Sequence, residues 1–147
     1  MVNYIEFEAH DTNEKIEAYI GLNEWGNHKR YYVTPTDKNG YFDFIFNSAD
    51  HEKKICDLFF TELEKVIDFN SWKPLYVDGA AGMKKVVWIL NVKHDNNRSQ
   101  VFKGFDSFPN ELAILLSLMD KHIYGELYYG DKLTESLNQL KLKNGLK

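Results

Sequence analysis

Between Val86 and Asp120 the chain runs through an apolar stretch centred on Trp88, a turn at His94-Asp95-Asn96-Asn97, and a short returning segment from Gln100 to Lys103. Gly104-Phe105-Asp106-Ser107-Phe108-Pro109 then leads into a leucine-rich stripe. That order is a β-hairpin handing over to an amphipathic helix. Val86 to Lys93 is apolar at nearly every position, the pattern of a strand that is central in its sheet or covered on both faces. Pro109 suits the first helical turn, where its missing N–H would have no partner anyway. Leu112, Leu115, Leu116, Met119 and Ile123 then recur at helical spacing, and Gly125 ends the run. Every one of these residues has an architectural role, and together they make no set that catalysis requires.

The N-terminal third has a period of two. Ile5, Phe7 and Ala9 alternate with Tyr4, Glu6 and Glu8, and Ile16, Ala18, Ile20 and Leu22 alternate with Glu17, Tyr19 and Gly21, so each strand should bury one face and wet the other. Asp11, Thr12 and Asn13 mark the turn between them. Asn23 to Lys29, with Gly26 among polar residues, is expected to be a longer connection before a strand from Arg30 to Thr34, which Pro35 ends. Asp37-Lys38-Asn39-Gly40 has the chemistry of a tight hairpin turn, and Tyr41 to Phe46 is expected as the strand that returns. The result is a four-stranded antiparallel meander.

From Ala49 to Phe69 the period becomes helical, with Ile55, Phe59, Leu63, Val66 and Ile67 on one stripe. Lys73 to Met83 reads as a loop, or as a short strand followed by a loop. Residues 126–147 read as a loosely docked extension whose helix, carrying Leu133, Leu137 and Leu140, is too short to stand alone. The whole, residues 1–147, is expected to be one α+β domain. Its antiparallel sheet should have about six strands in the order ββββ-α-ββ-α, with the helices on one face and a short C-terminal helix besides.

Charge and composition narrow the functional classes. The 18 basic and 22 acidic residues leave a net charge of -4 with the signs interspersed. A nucleic-acid binder would show a basic face, and a mimic of DNA would need a denser run of carboxylates. The N-terminal MVNYIEFEAHD lacks the basic and apolar regions of a signal peptide, and no apolar run is long enough to span a bilayer. With Cys56 alone, no internal disulfide can form, which suits a reducing compartment. The expected location is the cytoplasm, with no membrane association.

Asp78-Gly79, then Trp88 in its apolar strand, then Gly104 to Pro109 opening a leucine-bearing helix form an ordered pattern. In this order the region from Asp78 to Asp120 resembles a group of uncharacterised domains of low-GC Gram-positive bacteria and their mobile elements, which carry Asp-Gly, a strand Trp and Gly-x-Asn-x-Tyr-Pro. Asp106 stands where that group has Asn, and Phe108 where it has Tyr. The interval from Asp78-Gly79 to Trp88 is also longer than in the group. The resemblance implies a shared sheet-and-helix scaffold and brings no activity with it. In that scaffold Trp88 would pack beneath the helix, Gly104 would allow a bend, and Asp106 or Ser107 would cap the helix's first N–H groups.

Catalytic patterns are missing from the sequence. Gly79 and Gly82 have only two residues between them, and Lys84 is followed by Lys85 rather than Ser or Thr, so the loop is not a phosphate-binding P-loop. His10, His28, His51, His94 and His122 show no zinc-helix spacing. His10-Asp11-Thr12 has the His-x-Thr form of a two-histidine phosphoesterase, but no second copy follows. Cys56 lies on the apolar side of a helix, the place of a core thiol. No catalytic, cofactor-binding or metal-binding residues are assigned. Surface recognition remains, and its candidate residues are Trp25, His28, Arg30, Tyr31 and Tyr32, with Asp78 in the glycine-containing loop. The reading is a small protein-binding module, an immunity protein or an inhibitor that occludes a protein partner. The alternative is a small-molecule-binding protein or enzyme with a pocket between sheet and helices.

Overall fold

The computed structural model describes residues 1–25, 28–34, 49–77, 85–124 and 132–146, with only the backbone described at 19, 22–25, 28–34, 49–52, 123–124 and 132. The strands are β1 (Val2–His10), β2 (Lys15–Trp25), β3 (His28–Thr34), β4 (Leu75–Val77), β5 (Val87–His94) and β6 (Ser99–Phe105). The helices are α1 (Ala49–Val66), α2 (Asn110–Tyr124) and α3 (Lys132–Lys143), and a 3-10 turn at Phe69–Ser71 follows α1. The six strands form one sheet in the order β3-β2-β1-β5-β6-β4, antiparallel throughout except for the parallel pair β4 and β6. This is an α+β fold.

Period-two alternation puts one side of the sheet into the core. Register rows join Ile16, Ala9, Trp88 and Gly104, then Ala18, Phe7, Leu90 and Phe102. All eight are buried, and against them pack Phe59, Leu63 and Ile67 of the α1 region, Leu112, Leu115 and Met119 of α2, and Leu133, Leu137 and Leu140 of α3. The helices therefore cover one face. Because β5 is wet on its other side, its burial alternates, and the nearly continuous apolar run of its sequence reflects its central position in the sheet.

One difference from expectation concerns the strands. Asn23 to Lys29 is not a longer connection: β2 continues to Trp25 and β3 begins at His28, with Trp25 paired to His28 and Arg30 to Asn23. Ladder pairing outweighs the polarity of Asn23 and Glu24, because an outer hairpin can leave polar side chains in water. Leu75 to Val77 joins the sheet as its far edge. The strand expected at Tyr41 to Phe46, the turn at Asp37 to Gly40 and the glycine-containing loop with Asp78 lie outside the described residues.

Long-range hydrogen bonds fix the hairpin-to-helix link. Trp88 Nε1 donates to the Ser107 carbonyl at 2.8 Å. Asp106, at φ 59°, does not cap α2. Its carboxylate accepts from the Val86 N–H at 2.7 Å and the Lys85 N–H at 3.1 Å, while its own N–H donates to the Val86 carbonyl at 2.9 Å. Asp tolerates this left-handed conformation because its short polar side chain bonds locally to backbone. Gly104 faces the Trp88 indole so closely that a Cβ there would fall on Nε1 and Cε2.

The C-terminal helix is seated by more than its leucines. Buried Asp120 of α2 accepts from the Leu133 N–H at 2.7 Å, the Thr134 N–H at 3.1 Å and the Thr134 hydroxyl at 3.2 Å. One helix thus supplies the N-terminal cap of the next. At the other end Asn144 Nδ2 donates to Asp11 at 3.0 Å, and Lys143 Nζ lies 3.7 Å from the same carboxylate. Burial raises the Asp11 pKa, but the bonds from Asn144, Asn13 and Glu14, aided by the Lys143 charge, outweigh it and hold the carboxyl down to about 2.

Candidate functional site

The face of the sheet away from the helices divides into two halves. On β4, β6 and β5 the register sets Val77, Phe105 and Val87 in one row and Leu75, Lys103 and Ile89 in the next, with Val101 following on β6. Leu75, Val77 and Val101 are 49%, 46% and 45% exposed, and Val87, Ile89 and Phe105 are half-buried. Lys103 is exposed at the centre of this apolar field, and no carboxylate among the described residues pairs with it. Toward β1 and β2 the face becomes polar and internally paired. Tyr4 donates to Glu6 at 2.6 Å, Lys93 lies 4.9 Å over the Tyr4 ring, and Lys15 reaches Glu17 at 3.2 Å and Glu8 at 3.6 Å. The Glu17 carboxylate, with Glu8 behind it, raises the Lys15 pKa.

The candidate residues named from sequence fall elsewhere. Trp25 and His28 face each other across the β2–β3 pair, Arg30 opposes Asn23, Tyr31 opposes Leu22 and Tyr32 opposes Gly21. The aromatic group is thus one hairpin, not a loop, and β3 is the sheet's outer strand among the described residues. Asp78 lies outside them. The same is true of the side chains of Trp25, His28, Arg30, Tyr31 and Tyr32.

A cavity of about 400 Å³ opens between α2, α3 and the link at Asp106 to Pro109. Its apolar wall is Leu112, Leu116 and Leu137, and its polar wall includes Asn110, Asn138 and Lys141. Lys141 Nζ stands 4.7 Å from the Phe108 ring centre.

Between α1 and α2 there is a small ionisable group. Lys121 Nζ contacts Glu62 at 2.9 Å, and His122 Nε2 lies 3.5 Å from the same carboxylate. The Lys121 bond comes first among the causes that lower the Glu62 pKa. His122 packs on Phe59 with ring centres 5.7 Å apart, and burial lowers its pKa against the pull of Glu62. These three groups join two helices, and no nucleophile among the described residues completes them as a catalytic set. Buried Cys56 is 3.9 Å from the Gly21 carbonyl, in the core. Among the described residues, no three His, Cys, Asp or Glu side chains come together as metal ligands, and no helix is long and apolar enough to cross a membrane.

The patch around Lys103 was not found from sequence, although a faint signal exists in the alternation of Val101, Lys103 and Phe105. Its other half comes from β4, whose three residues carry no readable period and whose partner strand is far along the chain. No protein-family model, curated protein or solved structure matches this chain.

Proposed function

We propose that this chain is a small protein-binding module that acts by covering its partner, in the manner of an immunity protein or inhibitor. The observation that supports the reading is the apolar field of Leu75, Val77 and Val101 around Lys103, which no carboxylate among the described residues pairs with, on the helix-free side of the sheet. Contiguous exposed apolar surface with a polar rim marks an interaction site more often than it marks ordinary surface. Lys103 gives the partner's chemistry: apolar side chains around a carboxylate. β3, the outer strand among the described residues, with Arg30, Tyr31 and Tyr32, is a second element through which such a module can grip, because an edge strand offers backbone N–H and C=O groups to another chain. Cys56, buried and the single cysteine of the sequence, fits action in a reducing compartment such as the cytoplasm.

The test is capture from the native host with the wild-type chain, with L75S/V101S and with R30E/Y32S, followed by mass spectrometry. A specific partner retained by wild type and by R30E/Y32S but lost by L75S/V101S is the expected result. Loss with R30E/Y32S alone would move the site to β3. If no specific partner is recovered, and no co-expressed toxin or defence enzyme is neutralised, the function itself is wrong.

A further inference from the structure

The cavity on the helix side is lined in a way that selects a ligand. Leu112, Leu116 and Leu137 are 1%, 0% and 5% exposed, so the apolar wall is the surface of the core itself and is rigid. A volume of about 400 Å³ is within the range of metabolite sites. Among the described residues, the ionisable lining groups are one carboxylate and one ammonium, Asp106 and Lys141. The carboxylate is already occupied, since the N–H groups of Lys85 and Val86 bond to it. Thr134 is also occupied, because its hydroxyl bonds to Asp120. The group left to meet a ligand's charge is therefore the Lys141 ammonium, set beside the Phe108 ring at 4.7 Å and accompanied by the Asn138 amide from the preceding turn of α3.

We propose that this cavity binds a small carboxylic acid with an apolar body, the carboxylate on Lys141 and the body against Leu112, Leu116 and Leu137. A cationic ligand would meet the Lys141 ammonium, while the Asp106 carboxylate that could attract it is turned to the Lys85 and Val86 N–H groups. A neutral apolar ligand would fill the wall and leave the lysine unpaired, and charge-assisted bonds are about twice as strong as neutral ones. The inference does not depend on the protein-binding reading, because the cavity lies among the helices and the Lys103 patch on the opposite side of the sheet.

Amide-resolved NMR titration with octanoate, octanamide and octylamine tests it on the full chain. Octanoate should give saturable shifts at residues 106–116 and 133–141, with about tenfold tighter binding than octanamide, the factor expected of one partly buried charge pair. Octylamine should give none. Lys141→Gln should bring octanoate down to the level of octanamide, and Lys141→Arg should retain most of the preference. Equal affinity for octanoate and octanamide, an unchanged preference in Lys141→Gln, or shifts without saturation would each overturn the proposal.

Discussion

Gly104→Ala is the substitution that bears most directly on how the hairpin meets α2. An added Cβ would fall on Trp88 Nε1 and Cε2 and lie 2.6 Å from the Ser107 carbonyl oxygen, which is backbone and cannot swing aside. Trp88 is fully buried, with the Tyr76 ring centre 5.8 Å away, and a close-packed core leaves the indole little room to retreat. Forcing a methyl group into a packed core costs about 1–3 kcal/mol. Displacing the indole also breaks its 2.8 Å bond to Ser107 and strands a buried donor, about 1–3 kcal/mol more. The two together give a loss of about 3 kcal/mol or more. With a urea m value of about 2 kcal/mol/M, the unfolding midpoint should fall by about 1.5 M. Combining Gly104→Ala with Trp88→Leu separates this cause from a general intolerance of the position. The pair should cost less than the sum of the singles by about 1–3 kcal/mol, because the leucine removes the atoms the methyl strikes. Strict additivity, or a loss below about 1 kcal/mol for Gly104→Ala alone, would refute the reasoning.

Three further outcomes follow from the same structure. Asp120→Ala strands the Leu133 and Thr134 N–H groups, so α3 should loosen first: hydrogen exchange at residues 133–143 should accelerate while β1 and β5 stay protected, with a stability loss of about 2–3 kcal/mol. The Asp11 carboxyl, held at about 2 against its ordinary 3.8, contributes stability that is complete above pH 4 and lost as pH falls toward 2. Discounted for solvent screening this is about 1 kcal/mol, and denaturation of Asp11→Asn between pH 4 and 2 should show a correspondingly flatter slope. His122 has a lowered pKa, first through burial, so the unfolded chain takes up its proton more readily. Its contribution is present above about pH 6.5 and declines below. In His122→Phe the stability profile from pH 7 to 5 should be flatter than in wild type; identical slopes would show that the ring is not kept neutral by the fold.

How much of this was legible in the sequence depends on the range of the interactions. The period-two runs of Ile5, Phe7 and Ala9 and of Ile16, Ala18 and Ile20 specify β1 and β2 with their buried faces, and the helical spacing of Phe59 and Leu63 and of Leu112, Leu115 and Met119 specifies α1 and α2. Side-chain direction in a strand or helix is a local property of the backbone, so these readings need no tertiary information. Of the four-stranded start, three strands are described, and the fourth, expected at Tyr41 to Phe46, lies outside the described residues. The β2–β3 hairpin is tighter than the polar residues at Asn23 to Lys29 implied, because ladder bonds set its length.

The remaining features were decided by contacts between distant parts of the chain. Asp106 looks like a helix cap and instead bonds to Lys85 and Val86, about twenty residues earlier in the chain. Asp120 lies within one helix and caps another. Leu75 and Val77 become surface because β4 pairs in parallel with β6, placing them on the helix-free side while Tyr76 turns inward to Trp88. Neither a cap supplied from another element nor a parallel pairing leaves a local period. By itself, then, the sequence determined which residues share a face of each strand or helix, because that choice is made within a few residues. Only the tertiary structure decided which faces meet, and therefore that an apolar field around Lys103 stays open, because burial is shared between segments that the chain keeps far apart.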